Sequence, residues 1–285
     1  MFSIILIDFS WLYNKYYYVA KIKEDDKNKV YEKATGMLEG FFYHLKKNYS
    51  SAKVLLVLDA PLSSTQNAAL CPEYKQNRNK EEKKDVYKGF KDVVGNLSQR
   101  VPEGFTFVRA YGYEADQVIA SIARKHNSIG QNVLIYSGDK DLLQLTYYNH
   151  VVISDKFNKG KFHIKTDAEI FAKFKNSQGD FTRISTNKRD ILKYRVLKGD
   201  TSDNLKPVFP RIKDKEIASI INHYWIDEEE LTSQRIEDII SDIRGDNTDL
   251  ANKLYENKGN WLRNFKLMNL YDLPEIKVKK VVKHG

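Results

Sequence analysis

Apolar residues along this chain fall into two alternating textures. Short runs rich in β-branched and leucine side chains occupy residues 3–7, 53–58, 105–108 and 133–136. Each is too short for a helix, and most are too continuously apolar for a strand with one solvated face, so they predict buried strands. Between them, residues 31–49 and 86–97 repeat apolar positions at the helical period, and Ala115, Val118, Ile119 and Ile122 fall at i, i+3, i+4 and i+7 of a third helix. The alternation predicts an α/β fold, a mainly parallel central sheet with helices on both faces. A weaker pair of runs, 151–154 and 161–164, flanks Asn158-Lys159-Gly160 and predicts a hairpin. Strand signals stop at about Thr166, and helices are predicted from Thr166, Asn187, Asp214, Ser233 and Thr248 onward. The expected division is an α/β core over residues 1–182 and a helical region over 183–285, with no internal repeat.

Composition narrows the class. A chain of 285 residues that is 41% hydrophobic buries a core without disulfides, and the lone Cys71 has no partner within it. Lys and Arg total 47 against 38 acids, a formal charge of +9, which favours a polyanionic partner, nucleic acid ahead of a membrane surface. The opening run FSIILI is stopped by Asp8 and has no basic segment before it, so a soluble protein of a reducing compartment is expected. Charge is uneven: residues 173–198 are basic and 225–250 acidic. Lys277, Lys279, Lys280 and Lys283 read as a frayed, solvated terminus.

The placement of acids carries the chemistry. Asp8 follows the first predicted strand, Asp59 the second, Glu114 and Asp116 the third, and Asp139 and Asp141 the fourth; Asp200 and Asp203 add a cluster in KGDTSDN. Taken singly, each has a structural role available, as a helix cap or as a charge favoured at a helix N-terminus. Taken together, they fall where parallel strands deliver their carboxyl ends to one rim, the ligand crevice of open α/β sheets. Glu114 and Asp116, two apart, converge only in the open first turn of a helix, which Gly112 permits. Crowded carboxylates without His or Cys call for protons or hard cations, so Mg²⁺ or Mn²⁺ is implied rather than zinc. Two such ions about 3.5–4 Å apart suit phosphodiester hydrolysis, with some ligands acting through water.

Six blocks in order, IDFSWLYN, VLDAP, EYKQNR, GYEADQVIAS, SGDKDLLQL and LKGDTSDN, resemble the flap endonuclease and 5′ nuclease family over residues 1 to about 222. That family takes in phage 5′ exonucleases, phage-type ribonuclease H and the 5′ nuclease domain of bacterial DNA polymerase I. The resemblance implies a PIN-like core, a helical arch over about 72–100, and a metal-dependent, structure-specific 5′ nuclease acting in primer removal. It implies one metal cluster at Asp8, Asp59, Glu114 and Asp116 and another at Asp139, Asp141, Asp200 and Asp203. Tyr74, Lys75 and Arg78 match the base of the arch. A Lys and an Arg three apart on one helix face suit a scissile phosphate, and Tyr74 suits stacking on an unpaired base, with Lys80, Lys83 and Lys84 as further backbone contacts. The implied partners are DNA or RNA/DNA with a 5′ end, flap or junction, and replication proteins. A monomer in the cytoplasm of a bacterium, phage-infected or not, is expected.

Two departures stand out. Gln117 occupies a position where many bacterial and phage members carry a second consecutive Asp. The glycines of the helix-hairpin-helix turn are missing from NLKPVFPRIKDKEIASII, which counts against an amide clamp and its potassium-type ion and leaves Lys206, Arg211, Lys213 and Lys215 as side-chain phosphate contacts. The alternative is a catalytically silent nucleic-acid-binding module of the same fold. A haloacid-dehalogenase-like phosphatase ranks lower, since Ser10 stands where its second Asp belongs.

Overall fold

A computed structural model describes residues 1–24, 26–61, 63, 65–77, 80–176, 179–226 and 230–281. The chain divides into two compact units: Met1–Ser64 with Asn79–Lys165 and Leu270–Gly285, and Thr65–Arg78 with Thr166–Asn269. This differs from the expected boundary at residue 182. The division falls at Thr166, and the last residues return to the sheet unit.

In the first unit, β1 (Ile4–Asp8), β2 (Lys53–Val57), β3 (Phe105–Arg109), β4 (Val133–Tyr136) and β5 (Val151–Ser154) join β10 (Lys279–Lys280). Among the described residues they form one sheet in the order β10-β3-β2-β1-β4-β5. All pairs are parallel except β10 on β3. Every residue of β1 is buried because helices cover both of its faces, as the unbroken apolar run over residues 4–7 requires. These helices are α1 (Phe9–Lys21), α2 (Lys27–Asn48), α4 (Lys80–Leu97) and α5 (Ala115–Ser128). Asp26 starts α2 by accepting a hydrogen bond from Asn28 N at 2.9 Å. The core between α1, α2, α4 and the sheet is aromatic: Phe9 meets Phe42, Phe90 and Phe107 at centroid separations of 6.4, 5.8 and 4.8 Å.

The predicted hairpin needs correction. Residues 151–154 pair in parallel with β4 inside the main sheet, as a continuous buried run should. The hairpin is the shorter pair β6 (Phe157–Asn158) and β7 (Lys161–Phe162), turned by Lys159 and Gly160, which both hold the positive φ (49° and 77°) of a two-residue turn. The C-terminal end is not frayed over its described part. Leu270 N donates to Gln144 Oε1, Arg124 donates to the carbonyls of Tyr271 and Leu273, Ile276 N donates to Ser121 Oγ, and Val281 N donates to Phe107 O. Lys283 lies outside the described residues.

The second unit holds α3 (Thr65–Leu70), α6 (Asp167–Ala172), α7 (Asp190–Lys198), α8 (Asp214–Ser219), α9 (Ser233–Asp246), α10 (Thr248–Glu256) and α11 (Lys258–Met268). A short strand pair, β8 (Lys175–Asn176) with β9 (Gly179–Asp180), interrupts the expected all-helical run. Trp225 and Trp261, 5.5 Å apart and both buried, centre its core. Among the described residues no helix is long and apolar enough to cross a membrane.

Candidate metal centre

Because β3, β2, β1 and β4 run parallel, their carboxyl ends share one rim, and that rim carries Asp8, Asp59, Glu114 with Asp116, and Asp139 with Asp141. Asp8 closes β1 and caps α1, its Oδ1 accepting from Trp11 N at 3.0 Å. Its Oδ2 accepts from Ser137 Oγ at 2.8 Å. Burial, reinforced by the charge of Asp59, pushes the Asp8 carboxyl up to about 6 against those two stabilising bonds. Ser137 lies at the end of β4, and the same hydroxyl oxygen accepts from Asp139 N at 3.0 Å, while Asp139 Oδ1 accepts from Asp141 N at 2.9 Å. One buried hydroxyl therefore ties the carboxylate of β1 to the acidic turn after β4.

Asp59 works similarly on the other side. Its Oδ1 accepts from Ala115 N at the start of α5 and its Oδ2 from Ser10 Oγ at 2.9 Å. Glu114 is the N-cap of α5 and Asp116 lies in its first turn, the open-turn placement the spacing required. Gln117, the departure from the acid pattern, has a structural occupation: its Oε1 accepts from Glu114 N at 3.0 Å and fixes that turn. Gly138 explains the glycine of SGDKD, since a Cβ there would lie 2.4 Å from Trp11 Nε1. Asp8, Asp59 and Asp139 each accept a backbone hydrogen bond, and all six acids follow strands whose carboxyl ends share one rim.

Sequence reasoning missed Ser137, Ser10 and the Trp11–Gly138 contact. Ser10 two residues after Asp8, and Ser137 two residues before Asp139, were the available signal.

Among the described residues no three carboxylates, histidines or cysteines are grouped tightly enough to form a ready-made ion site. The donor set nevertheless suits a hard divalent cation. It offers only oxygen, and the folded chain is reluctant to hold the Asp8 charge unaided, a cost that a cation relieves.

The second unit holds the other candidates. Lys75 does not lie on a helix: residues 72–77 are turns, and Lys75 has φ +57°, a conformation that ends any helical run. Its N donates to Asp203 O at 3.0 Å, and its Nζ lies 4.0 Å from Asp203 Oδ2. Asn204 Nδ2 donates to Glu73 O and Asn77 Nδ2 to Thr201 O, each at 2.9 Å, so this turn and the Asp200–Asp203 loop are stitched together. Tyr74 is buried, with Lys75 Nζ 4.7 Å from its ring centroid, instead of presenting a free face to a base. Arg78 lies outside the described residues, as do the side chains of Lys80, Lys83 and Lys84.

Asp200 accepts from Ser202 with Oδ1 and from Arg195 Nη2 with Oδ2 at 2.6 Å. Burial alone would raise its carboxyl, but Arg195 and the Ser202 bonds outweigh that and hold it below the usual range. Gly199, at φ +72°, is required here because a Cβ would meet the Leu205–Pro207 backbone at 2.6 Å. In the hairpin region Lys206, Arg211, Lys213 and Lys215 are exposed. Arg211 holds φ +61°, so the left-handed turn residue survives without glycine. What is lost is the close approach a bare Cα allows.

Residues 3–175 match the family described as 5′-3′ exonuclease, N-terminal resolvase-like domain. A 5′-3′ exonuclease of Buchnera aphidicola from Schizaphis graminum is 30% identical over 225 residues, 78% of this chain and 70% of the relative. Another, of Buchnera aphidicola from Acyrthosiphon pisum, is 27% identical over 98% of this chain and 91% of its own length. In fold, the chain resembles the T5 5′-exonuclease, with a TM-score of 0.64 at 18% identity over 94% of this chain and 89% of that one. With more than half its length matched on a sheet whose acidic rim has been described, this chain belongs to the 5′-3′ exonuclease family.

Proposed function

We propose that the protein is a divalent-metal-dependent, structure-specific 5′ nuclease that hydrolyses phosphodiesters at a 5′ end, flap or junction of DNA or RNA/DNA, as in primer removal. The carrying observation is the acidic rim, where four parallel strand ends are followed by carboxylates, with Ser137 bonded to Asp8 and the Asp139 turn and Ser10 to Asp59. Two facts about relatives support the reading. Bacterial relatives are named 5′-3′ exonucleases, and a T5 flap endonuclease of similar fold is described in complex with DNA and metal ions.

In this mechanism Asp8, Asp59, Glu114, Asp116, Asp139 and Asp141 would hold the cations; Asp200 and Asp203, which the family resemblance adds as ligands, belong to the second unit. Mg²⁺ is the expected ion and Mn²⁺ a substitute. When bound, the ions supply Lewis-acid activation of a phosphodiester and its attacking water. The chain's own part is positioning. Ser137 and Ser10 fix the orientation of Asp8 and Asp59, and Gln117 fixes the turn bearing Glu114 and Asp116. Lys75 offers a compact cation to a phosphate oxygen. Arg195 neutralises Asp200 and so shapes the loop that carries Asp203.

The test is cleavage of 5′-labelled flap, nicked and blunt substrates, in DNA and in RNA/DNA, with Mg²⁺ or with chelator. Mg²⁺-dependent cleavage of 5′ structures, abolished in an Asp139→Asn/Asp141→Asn double variant that still binds DNA, is expected. Retained Mg²⁺-dependent turnover in that variant would overturn the reading, and a wild type that binds but never cleaves would favour the silent module. The RNA/DNA arm decides whether the chain also has ribonuclease H activity.

A further inference from the structure

The C-terminal strap places cations where a sheet ordinarily avoids them. β10 pairs antiparallel with β3 so that Lys279 stands directly opposite Arg109. Directly opposed like charges destabilise a strand pair, so their presence calls for an anion between or above them. Both residues are exposed, and Lys280 beside them is also exposed. No acid occurs in residues 104–113 or 276–281. Among the described residues neither Arg109 nor Lys279 has a carboxylate ion-pair partner.

Position gives the pair its meaning. Arg109 is the last residue of β3, at the carboxyl rim, five residues before Glu114. Two residues past the end of β3 lies Tyr111, 74% exposed, and two residues before the start of β10 lies Lys277, also exposed. The strap that brings the lysines there is tied to α5 at Ser121 and Arg124, and Lys125 pairs with Glu275. Its lysines are therefore set against the rim by bonds along about ten residues of chain.

We infer that Arg109 and Lys279, flanked by Lys277 and Tyr111, form a phosphate-binding edge that holds a nucleic-acid strand beside the acidic rim, with the Tyr111 ring as a face for a base. This rests on the nuclease reading above and names a binding element that the acids and the arch do not supply. Like-charged side chains at a groove edge track a backbone without reading sequence, and aromatic faces accept any base.

The experiment measures binding of a 5′-flap DNA in EDTA across a salt series, for wild type, Arg109→Gln/Lys279→Gln, Arg109→Lys, and Lys47→Gln/Lys53→Gln. The last pair removes the same charge from exposed positions at the opposite, amino end of the sheet. Two phosphate contacts predict that the slope of log K against log salt falls by about 1.8 in the first double variant, with Arg109→Lys keeping most of it and the amino-end pair unchanged. An unchanged slope in Arg109→Gln/Lys279→Gln, or an equal fall in the amino-end pair, would overturn the inference. Cleavage by wild type in Mg²⁺ on the same substrate is scored separately, so loss of the nuclease reading is distinguishable from loss of this one.

Discussion

The most informative perturbation is Asp8→Asn in the metal-free protein. The folded chain holds the Asp8 proton more tightly than an unfolded one, raising its ordinary 3.8 to about 6, chiefly because the carboxylate is buried. At about 1.4 kcal/mol per tenfold, the ionised group costs the metal-free fold about 3 kcal/mol near pH 8. The sign follows from the direction. With its folded value raised, the group's favourable contribution is complete below about pH 4 and lost as pH rises through about 6. Asparagine keeps the acceptor for Trp11 N and caps a helix as well as aspartate does. Urea unfolding followed by circular dichroism in excess EDTA should find Asp8→Asn about 2–3 kcal/mol more stable than wild type near pH 8, with the gap closing towards pH 4. Cleavage should be lost throughout. If the variant is no more stable near pH 8, the buried carboxylate is not an unrelieved cost and the argument for a cation beside it fails.

Ser137→Ala removes the hydroxyl shared by Asp8 and Asp139 N; it should cost about 1–2 kcal/mol in thermal unfolding and depress kcat well beyond KM, with Ser137→Thr restoring much of both. Gly138→Ala should lose about 1–3 kcal/mol by pressing on Trp11, and Trp11→Phe, which shortens the opposing ring, should relieve most of that penalty in the double variant. Arg195→Leu leaves the half-buried Asp200 without its cation and should cost about 2 kcal/mol near neutral pH by denaturant titration. Because the Asp200 value is depressed in the fold, the wild-type advantage should be full above the unfolded carboxylate range and fade as pH falls through the depressed value. A constant difference at all pH values would assign Arg195 a packing role instead.

Much of this architecture is legible from residue order. The four core strands are where unbroken apolar runs place them, because strands covered on both faces have no polar positions to hide. The acids were equally visible, since a parallel sheet turns strand ends into neighbours without further information. The rest depended on contacts between distant segments. Residues 151–154 are as apolar as a core strand, yet only pairing with β4 shows them to be one. The three-residue spacing predicts a shared helix face for Lys75 and Arg78, but at Lys75 the chain takes a left-handed turn bonded to Asp203. The strap over residues 270–281 has a solvated, lysine-rich composition, and its place is set by Ser121, Arg124 and Gln144, none of which announces a partner in sequence. Gln117, a missing acid by pattern, is a backbone clasp by geometry.

Crystals soaked in Mn²⁺ and measured at its absorption edge test the central claim most directly. Anomalous density beside Asp8 and the Glu114–Asp116 turn, weakened in Asp8→Asn, is the predicted result. Carboxylates left without any such density, in crystals of protein that cleaves, would contradict it.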